Sequence, residues 1–251
     1  ARGTMRLLIV GSGGREPALA WKSPQRPHAH KVYCAPGNGG TRLVAENVPL
    51  AETDIAGLAD FAARETIGLT VVGPEVPLTM GIVDEFETRG LKIFGPSKKA
   101  AEIEGSKVFA KQFMDRHRIP TGRFKVADGF DQAKKILASG EFGFPVVIKA
   151  DGLAAGKGAV VCSSQKKAED TAGEMLVQKK FGPAGRRIVI EEFLRGREVS
   201  FIVISDGMRV QPLVSAMDHK AAYDGDKGPN TGGMGAISPS PFMTEKLFNE
   251  V

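Results

Sequence analysis

Phe144-Pro-Val-Val-Ile-Lys-Ala-Asp-Gly-Leu-Ala-Ala-Gly-Lys-Gly-Ala-Val-Val-Cys162 is the stretch on which the fold turns. An apolar run, 144–148, leads into a glycine-rich segment, and a second, 159–162, leaves it. Strand, glycine loop, strand is the pattern of a phosphate cradle on a hairpin. Glycines let backbone approach an anion closely, with N–H groups directed inward. Lys149 and Lys157 bracket the loop and add positive charge where phosphate oxygens collect. A P-loop is excluded: only three residues separate Gly152 from Gly156, Gly158 stands where Ser or Thr is needed, and a strand follows rather than a helix. The plain alternative is a flexible hairpin loop with two solvated lysines.

Outward from this stretch, 251 residues are enough for one large or two modest domains. With 42% hydrophobic and 25% charged residues the chain reads as globular, and its 31 glycines gather in short loops, as in ligand-binding α/β proteins. A net charge of +5 is mild for this length, and one Trp and two Tyr leave little to stack bases, so nucleic acid is not an expected partner. Cys34 and Cys162 lie in apolar runs without metal-site or disulfide spacing, which predicts two buried thiols in a reducing, cytoplasmic setting. No apolar run is long enough for a membrane helix, and no secretory signal is visible. Ala1-Arg-Gly-Thr4 ahead of Met5 is expected to be a vector-derived leader and is left out of the reading.

The first hundred residues alternate apolar runs with glycine or proline loops and helical stretches. Strands are predicted at 6–10, 31–35, 69–72 and 91–94, and helices at 16–22, 55–65 and 82–89. This is a doubly wound parallel sheet whose strand-end loops form the ligand crevice. Gly11-Ser-Gly13 starts a dinucleotide fingerprint, but Glu16 occupies the third glycine position and no acidic residue ends the second strand, so NAD is not expected. A phosphate at the helix start beside Arg15 fits better. An amphipathic helix follows at 106–117, with Phe109, Phe113 and Met114 read as core. Residues 123–187 read strand, helix (131–139), strand, loop, strand, helix (166–177). Strands are then predicted at 188–194, 199–204 and 208–214, and a second glycine loop at 228–235. His28, His30 and His117 show no partner pattern and read as surface. Glu191 and Glu192 adjoin on a strand, so one faces in and one out.

These strings in this order resemble the ATP-grasp fold, and within it the glycinamide ribonucleotide synthetase family. The matching segments are Gly11-Ser-Gly-Gly-Arg-Glu16, Ala35-Pro-Gly-Asn38, Val72-Gly-Pro-Glu75, Ile148 to Gly158, Ile190-Glu-Glu-Phe-Leu194, Asp218-His-Lys220 and Gly228-Pro-Asn-Thr-Gly-Gly-Met-Gly-Ala236. The resemblance implies an α/β chain in three parts. A doubly wound substrate domain spans 5–105. An incomplete ATP-grasp central domain takes 106–122 and 188–251, and 123–187 form its lid subdomain. It implies ATP-driven ligation of glycine to 5-phosphoribosylamine through a glycyl phosphate, the second step of purine synthesis. ATP, with Mg2+ or Mn2+, would be required, with small-molecule partners and a monomeric state.

By the same resemblance, Lys107, Lys149, Gly156, Lys157, Gly158, Lys220 and Asn230 would meet ATP phosphates. Glu191, Glu192, Phe193 and Leu194 would line the adenine edge, and Glu198 would accept from the ribose. Gly13, Gly14, Arg15, Glu16, Asn38, Glu75, Asp218 and His219 would hold substrate. No nucleophilic constellation is assigned, in keeping with catalysis by positioning and charge neutralisation. The family has His where Pro17 stands and Arg where Ala221 stands, which puts substrate-side hydrogen bonds in question. Its metal-binding Glu-x-Asn would lie beyond Val251, so the chain as given is expected to bind nucleotide weakly and not to turn over. Three other readings remain open: another ATP-grasp ligase, an NAD oxidoreductase, and a nucleotide-binding fragment without turnover.

Overall fold

The computed structural model describes residues 5–25, 29–154, 156–225 and 227–251, without the side chains of Ala29, His30 and Pro229. Residues 1–4, His28 and the side chain of His30 therefore lie outside the described residues, as does Ala155 in the glycine-rich segment. The chain forms two compact units, 1–118 and 119–251.

In the first unit, β1 (Met5–Gly11) leads through a glycine turn to α1 (Arg15–Lys22) and β2 (Ala29–Pro36). The short β3 (Glu46–Asn47), α2 (Ile55–Arg64) and β4 (Leu69–Val72) follow. Then come α3 (Glu75–Met80), α4 (Ile82–Thr88), β5 (Ile93–Phe94), α5 (Lys98–Gly105) and α6 (Lys107–Arg116). The sheet is parallel, in the order β3-β2-β1-β4-β5. Side chains alternate across a strand, so β1 feeds two cores. Leu8 and Val10 pack with Leu58, Phe61, Ile82 and Phe86 from α2 and α4, while Leu7 and Ile9 pack with Val32, Cys34 and Ala20 on the other face. A parallel sheet covered on both faces explains why the run at β1 is continuously apolar. Asp54 caps α2 by accepting from the Gly57 N–H at 3.0 Å, and Ser106 caps α6 by accepting from Phe109 at 3.0 Å.

The second unit opens with β6 (Phe124–Ala127), α7 (Phe130–Ala138), β7 (Val146–Ala150), β8 (Ala159–Cys162), α8 (Gln165–Leu176) and β9 (Ile188–Glu192). The four strands form an antiparallel sheet in the order β6-β9-β7-β8. Val146, Ile148, Ala150, Ile188 and Ile190 pack with Ala133, Leu137, Ala168, Ala172 and Met175 of the two helices. Two ribbons follow: β10 (Val203–Ser205) with β11 (Val210–Pro212), and β12 (Met217–Tyr223) with β13 (Lys227–Ile237), before α9 (Glu245–Glu250).

Several boundaries depart from the sequence reading. The fourth strand of the first unit shrinks from 91–94 to 93–94, α3 forms in the Gly/Pro segment after β4, and β3 and α5 form where the sequence reading assigned no element. The strand expected at 188–194 stops at Glu192, the one at 199–204 becomes 203–205, and the one at 208–214 becomes 210–212. The second glycine segment is not a loop. It is the body of β13, laddered against β12, so Asp218 and His219 also sit on a strand.

Candidate functional site

β7 lies between β9 and β8, so its backbone is held on both sides up to the glycine turn. Ala150 N–H donates to Gly158 O at 2.8 Å and closes the turn's base, and Lys157 N–H donates to Ala154 O at 2.9 Å within it. Gly156 adopts φ +76°, a left-handed backbone that favours glycine. Gly158 is buried, whereas Gly156 and Lys157 are exposed.

The entry to the turn is anchored. Asp151, whose side chain is 13% exposed, accepts from Arg187 Nε at 3.0 Å and Nη2 at 2.6 Å. Charge-assisted bonds of this kind contribute about 1.5–3 kcal/mol. Asp151 N–H also donates to Arg187 O, and Gly152 N–H to Ala184 O. A Cβ on Gly152 would fall 2.8 Å from Ala184 Cβ and 3.0 Å from its Cα, so glycine is required for this close backbone approach. The sequence did not disclose this anchor, because Arg187 is distant in the chain and carries no motif of its own.

Lys149 alternates with Ile148 and Ala150, so it leaves the sheet on the face opposite the α7/α8 core. Glu191 pairs across from Val147 in register and shares that face. Residues placed diagonally on neighbouring strands meet, and Lys149 Nζ forms an ion pair with Glu191 Oε1. Glu191 is buried and Lys149 half-buried, with side chains 8% and 29% exposed. Glu192 turns the other way and is held by Arg123, whose backbone N–H donates to Oε1 at 2.8 Å and whose Nε donates to Oε2 at 2.9 Å. The inward–outward split of this glutamate pair is thus observed. Phe193 and Leu194 follow the strand as exposed, irregular backbone.

A second charged group forms on the ribbon. Lys220 lies 3.2 Å from Asp218 Oδ2 and 3.6 Å from Glu198 Oε2. Burial works against the Lys220 charge, but the hydrogen bonds and charges of Asp218 and Glu198 outweigh it and raise its pKa. His219 and Asn230 are exposed on β12 and β13, opposite Gly235 and Ala221.

In the first unit the turn after β1 is built by Asn38, whose Nδ2 donates to Ser12 O at 2.9 Å and Gly13 O at 2.8 Å. Arg15 donates to Gly73 O at 2.7 Å and lies 3.8 Å from Glu75. These bonds join the turns after β1, β2 and β4 at the carboxyl edge of the sheet, where open α/β sheets bind ligands. Gly14 is exposed with open space where a Cβ would stand. Glu16 is different. It is buried against Gly11 and Gly73, and its Oε2 has no hydrogen-bond partner among the described residues. Pro17 sits in the first turn of α1, where its missing N–H costs nothing. Lys107 opens α6 of the same unit behind the Ser106 cap. His117 is exposed beside the Phe113 ring, while Phe109, Phe113 and Met114 are half-buried.

Both thiols are buried and unpaired, and burial pushes Cys34 up to about 11 and also raises Cys162. Among the described residues no group of three or more His, Cys, Asp or Glu is placed to hold a metal. Among them, too, no helix is long and apolar enough to cross a membrane.

Comparison with known proteins gives a consistent result. The profile described as phosphoribosylglycinamide synthetase, N domain, matches residues 5–104, and that of the ATP-grasp (A) domain of the same enzyme matches 105–251. The phosphoribosylamine–glycine ligase of Allochromatium vinosum is 53% identical over 249 residues, and that of Yersinia pestis 53% over 250. In each case 98% of this chain and 58% of the relative are covered, so the chain spans a little over half the length of these relatives. The crystal structure of phosphoribosylamine–glycine ligase from Thermotoga maritima superposes with a TM-score of 0.80 at 33% identity, over 98% of this chain and 59% of that one. A biotin carboxylase domain from Hydrogenobacter thermophilus, solved with MgADP and bicarbonate, shares the fold at 18% identity and a TM-score of 0.66, over 86% and 51% of the two chains.

Proposed function

We propose a function from one premise: the chain belongs to the phosphoribosylglycinamide synthetase family. The whole protein ligates glycine to 5-phosphoribosylamine at the expense of ATP. The γ-phosphoryl group passes to the glycine carboxylate, forming glycyl phosphate and ADP. The amine of phosphoribosylamine then attacks the acyl carbon, phosphate leaves, and the amine's proton is lost to solvent. The observation that carries this reading is the anchored glycine turn between β7 and β8 with Lys149 at its entry.

In this reading the ammonium of Lys149 and the glycine turn at Gly156 and Gly158 receive the ATP phosphates, with Lys157 and Lys220 adding positive charge and Asn230 a neutral hydrogen-bond donor. Glu191 to Leu194 border the adenine, and the exposed backbone after Glu192 supports that role because its groups are not spent in a ladder. Glu198 meets the ribose. Gly13, Gly14, Arg15, Asn38 and Glu75 hold the phosphoribosyl part, Glu16 supports them from below, and Asp218 and His219 serve the substrate end. Closure of the turn would keep water from the labile acyl phosphate. A divalent ion would neutralise phosphate charge when bound, and among the described residues no group of three or more His, Cys, Asp or Glu is placed to hold one.

The test is ADP release by the full-length protein, followed in a coupled assay while glycine and phosphoribosylamine are omitted in turn. ADP release that requires glycine, with full turnover only when both are present, is expected. Release indifferent to both omissions would refute the assignment.

A further inference from the structure

The Lys149–Glu191 pair raises a question that the phosphate reading leaves open. The ammonium that should meet phosphate already has a carboxylate partner. The two partners differ in freedom. Glu191 stands on β9, which is laddered to β6 on one side and β7 on the other, and its side chain is 8% exposed. Lys149 is 29% exposed and carries its charge on a flexible four-carbon stem next to the glycine turn. When an anion arrives, the lysine can move and the carboxylate cannot. A fixed negative charge then remains on the same sheet face as the incoming phosphates and opposes them.

We propose that Glu191 is a positioning residue for Lys149: it aims the ammonium in the absence of nucleotide and is the counter-charge that the nucleotide phosphates must displace. This rests on the reading that Lys149 meets phosphate. It differs from an adenine-border role for the same residue, because it assigns the Glu191 charge an effect on the phosphates rather than on the base. The pair therefore lowers affinity for phosphate as such, so that loss of the Glu191 charge alters ATP affinity more than adenosine affinity.

The experiment is calorimetric titration of the full-length protein with ATP and with adenosine, in the wild type and in the Glu191→Gln, Lys149→Met and doubly substituted variants. Glu191→Gln keeps the size and an amide oxygen but removes the charge. It is expected to raise the ratio of ATP to adenosine affinity roughly tenfold, the order expected for removing one nearby like charge at an effective dielectric of about 20. In the Lys149→Met background the direct repulsion of phosphate by the carboxylate remains while the share of the gain that comes from releasing the ammonium is lost, and the double-mutant cycle separates the two; zero coupling in the cycle overturns the positioning role. A ratio that is unchanged or falls on Glu191→Gln, or an equal change for both ligands, overturns the proposal and leaves the phosphate reading standing. ATP affinity unaffected by Lys149→Met, or absent in the wild type, sinks the phosphate reading and the proposal with it. If Glu191→Gln does not fold, Glu191→Asp withdraws the carboxylate by one methylene and is expected to raise the ratio by a smaller factor; no rise overturns the proposal.

Discussion

Cys34 sits fully buried in the core on one face of the first sheet, and the cost of ionising it there is what raises its pKa from 9.0 to about 11. Because the folded value lies above the unfolded one, the neutral thiol's contribution is complete below pH 9 and is lost as pH rises from 9 toward 11. By pH 10 the loss is about 1.4 kcal/mol, one pKa unit's worth. Chemical denaturation at pH 8 and pH 10 should therefore show a smaller alkaline loss for Cys34→Ala than for the wild type, by about that amount. Equal losses would mean that the thiol ionises as freely in the fold as out of it. The burial of both cysteines was legible from their apolar runs. The environment of Glu16 was not, because the glycines that close over it, Gly11 and Gly73, end two different strands and are brought together only by the parallel pairing of β1 and β4. The same holds for Asp151 and Arg187.

Elements were legible where local pattern and final environment agree. The apolar run at 144–148 becomes the strand 146–150, buried except at Lys149, and the run at 69–72, bounded by Gly68 and Gly73, becomes a strand in which Thr70 is buried and its neighbours are half-buried. Pro74 and Pro77 made α3 read as loop, yet they occupy its N-cap and first turn, where proline is tolerated. β13 is rich in glycine and opens Lys-Gly-Pro, a composition that argues against a strand; only its pairing with β12 makes it one. Two-stranded ribbons without a packed face are marginal in water, and Val203, Ile204, Val210, Tyr223, Met234 and Ile237 on the four ribbon strands are exposed. Native-state hydrogen exchange on the 251-residue chain should therefore rank amides of β7 and β9 as the most protected in the second unit, and those of β10 to β13 at least a hundredfold less, roughly 3 kcal/mol in opening free energy. Similar protection in the ribbons and in β7 would show that a packing partner covers them.

At the scale of the molecule, two units carry complementary parts of the proposed chemistry: strand-end turns tied by Asn38 and Arg15 in one, an anchored glycine turn in the other. The doubly wound first unit was visible in its alternating runs, and the order of motifs pointed to the family before any coordinate did. The sheet order β6-β9-β7-β8 was not visible, since β9 enters between β6 and β7 from well downstream. That order has a consequence for how the chain can be divided. The ladder from Val146–Cys162 to Lys149–Ala159 joins the two arms of the glycine turn, and Lys157 lies exposed just outside it. A single cut there removes no rung. Brief trypsin treatment should open the chain after Lys157, with the two pieces still travelling together in native gel filtration and separating only in denaturant; pieces that part without denaturant would show that the ladder needs a continuous chain. If they hold, the turn is a natural seam, and fragments made separately on either side of it should reassemble when mixed.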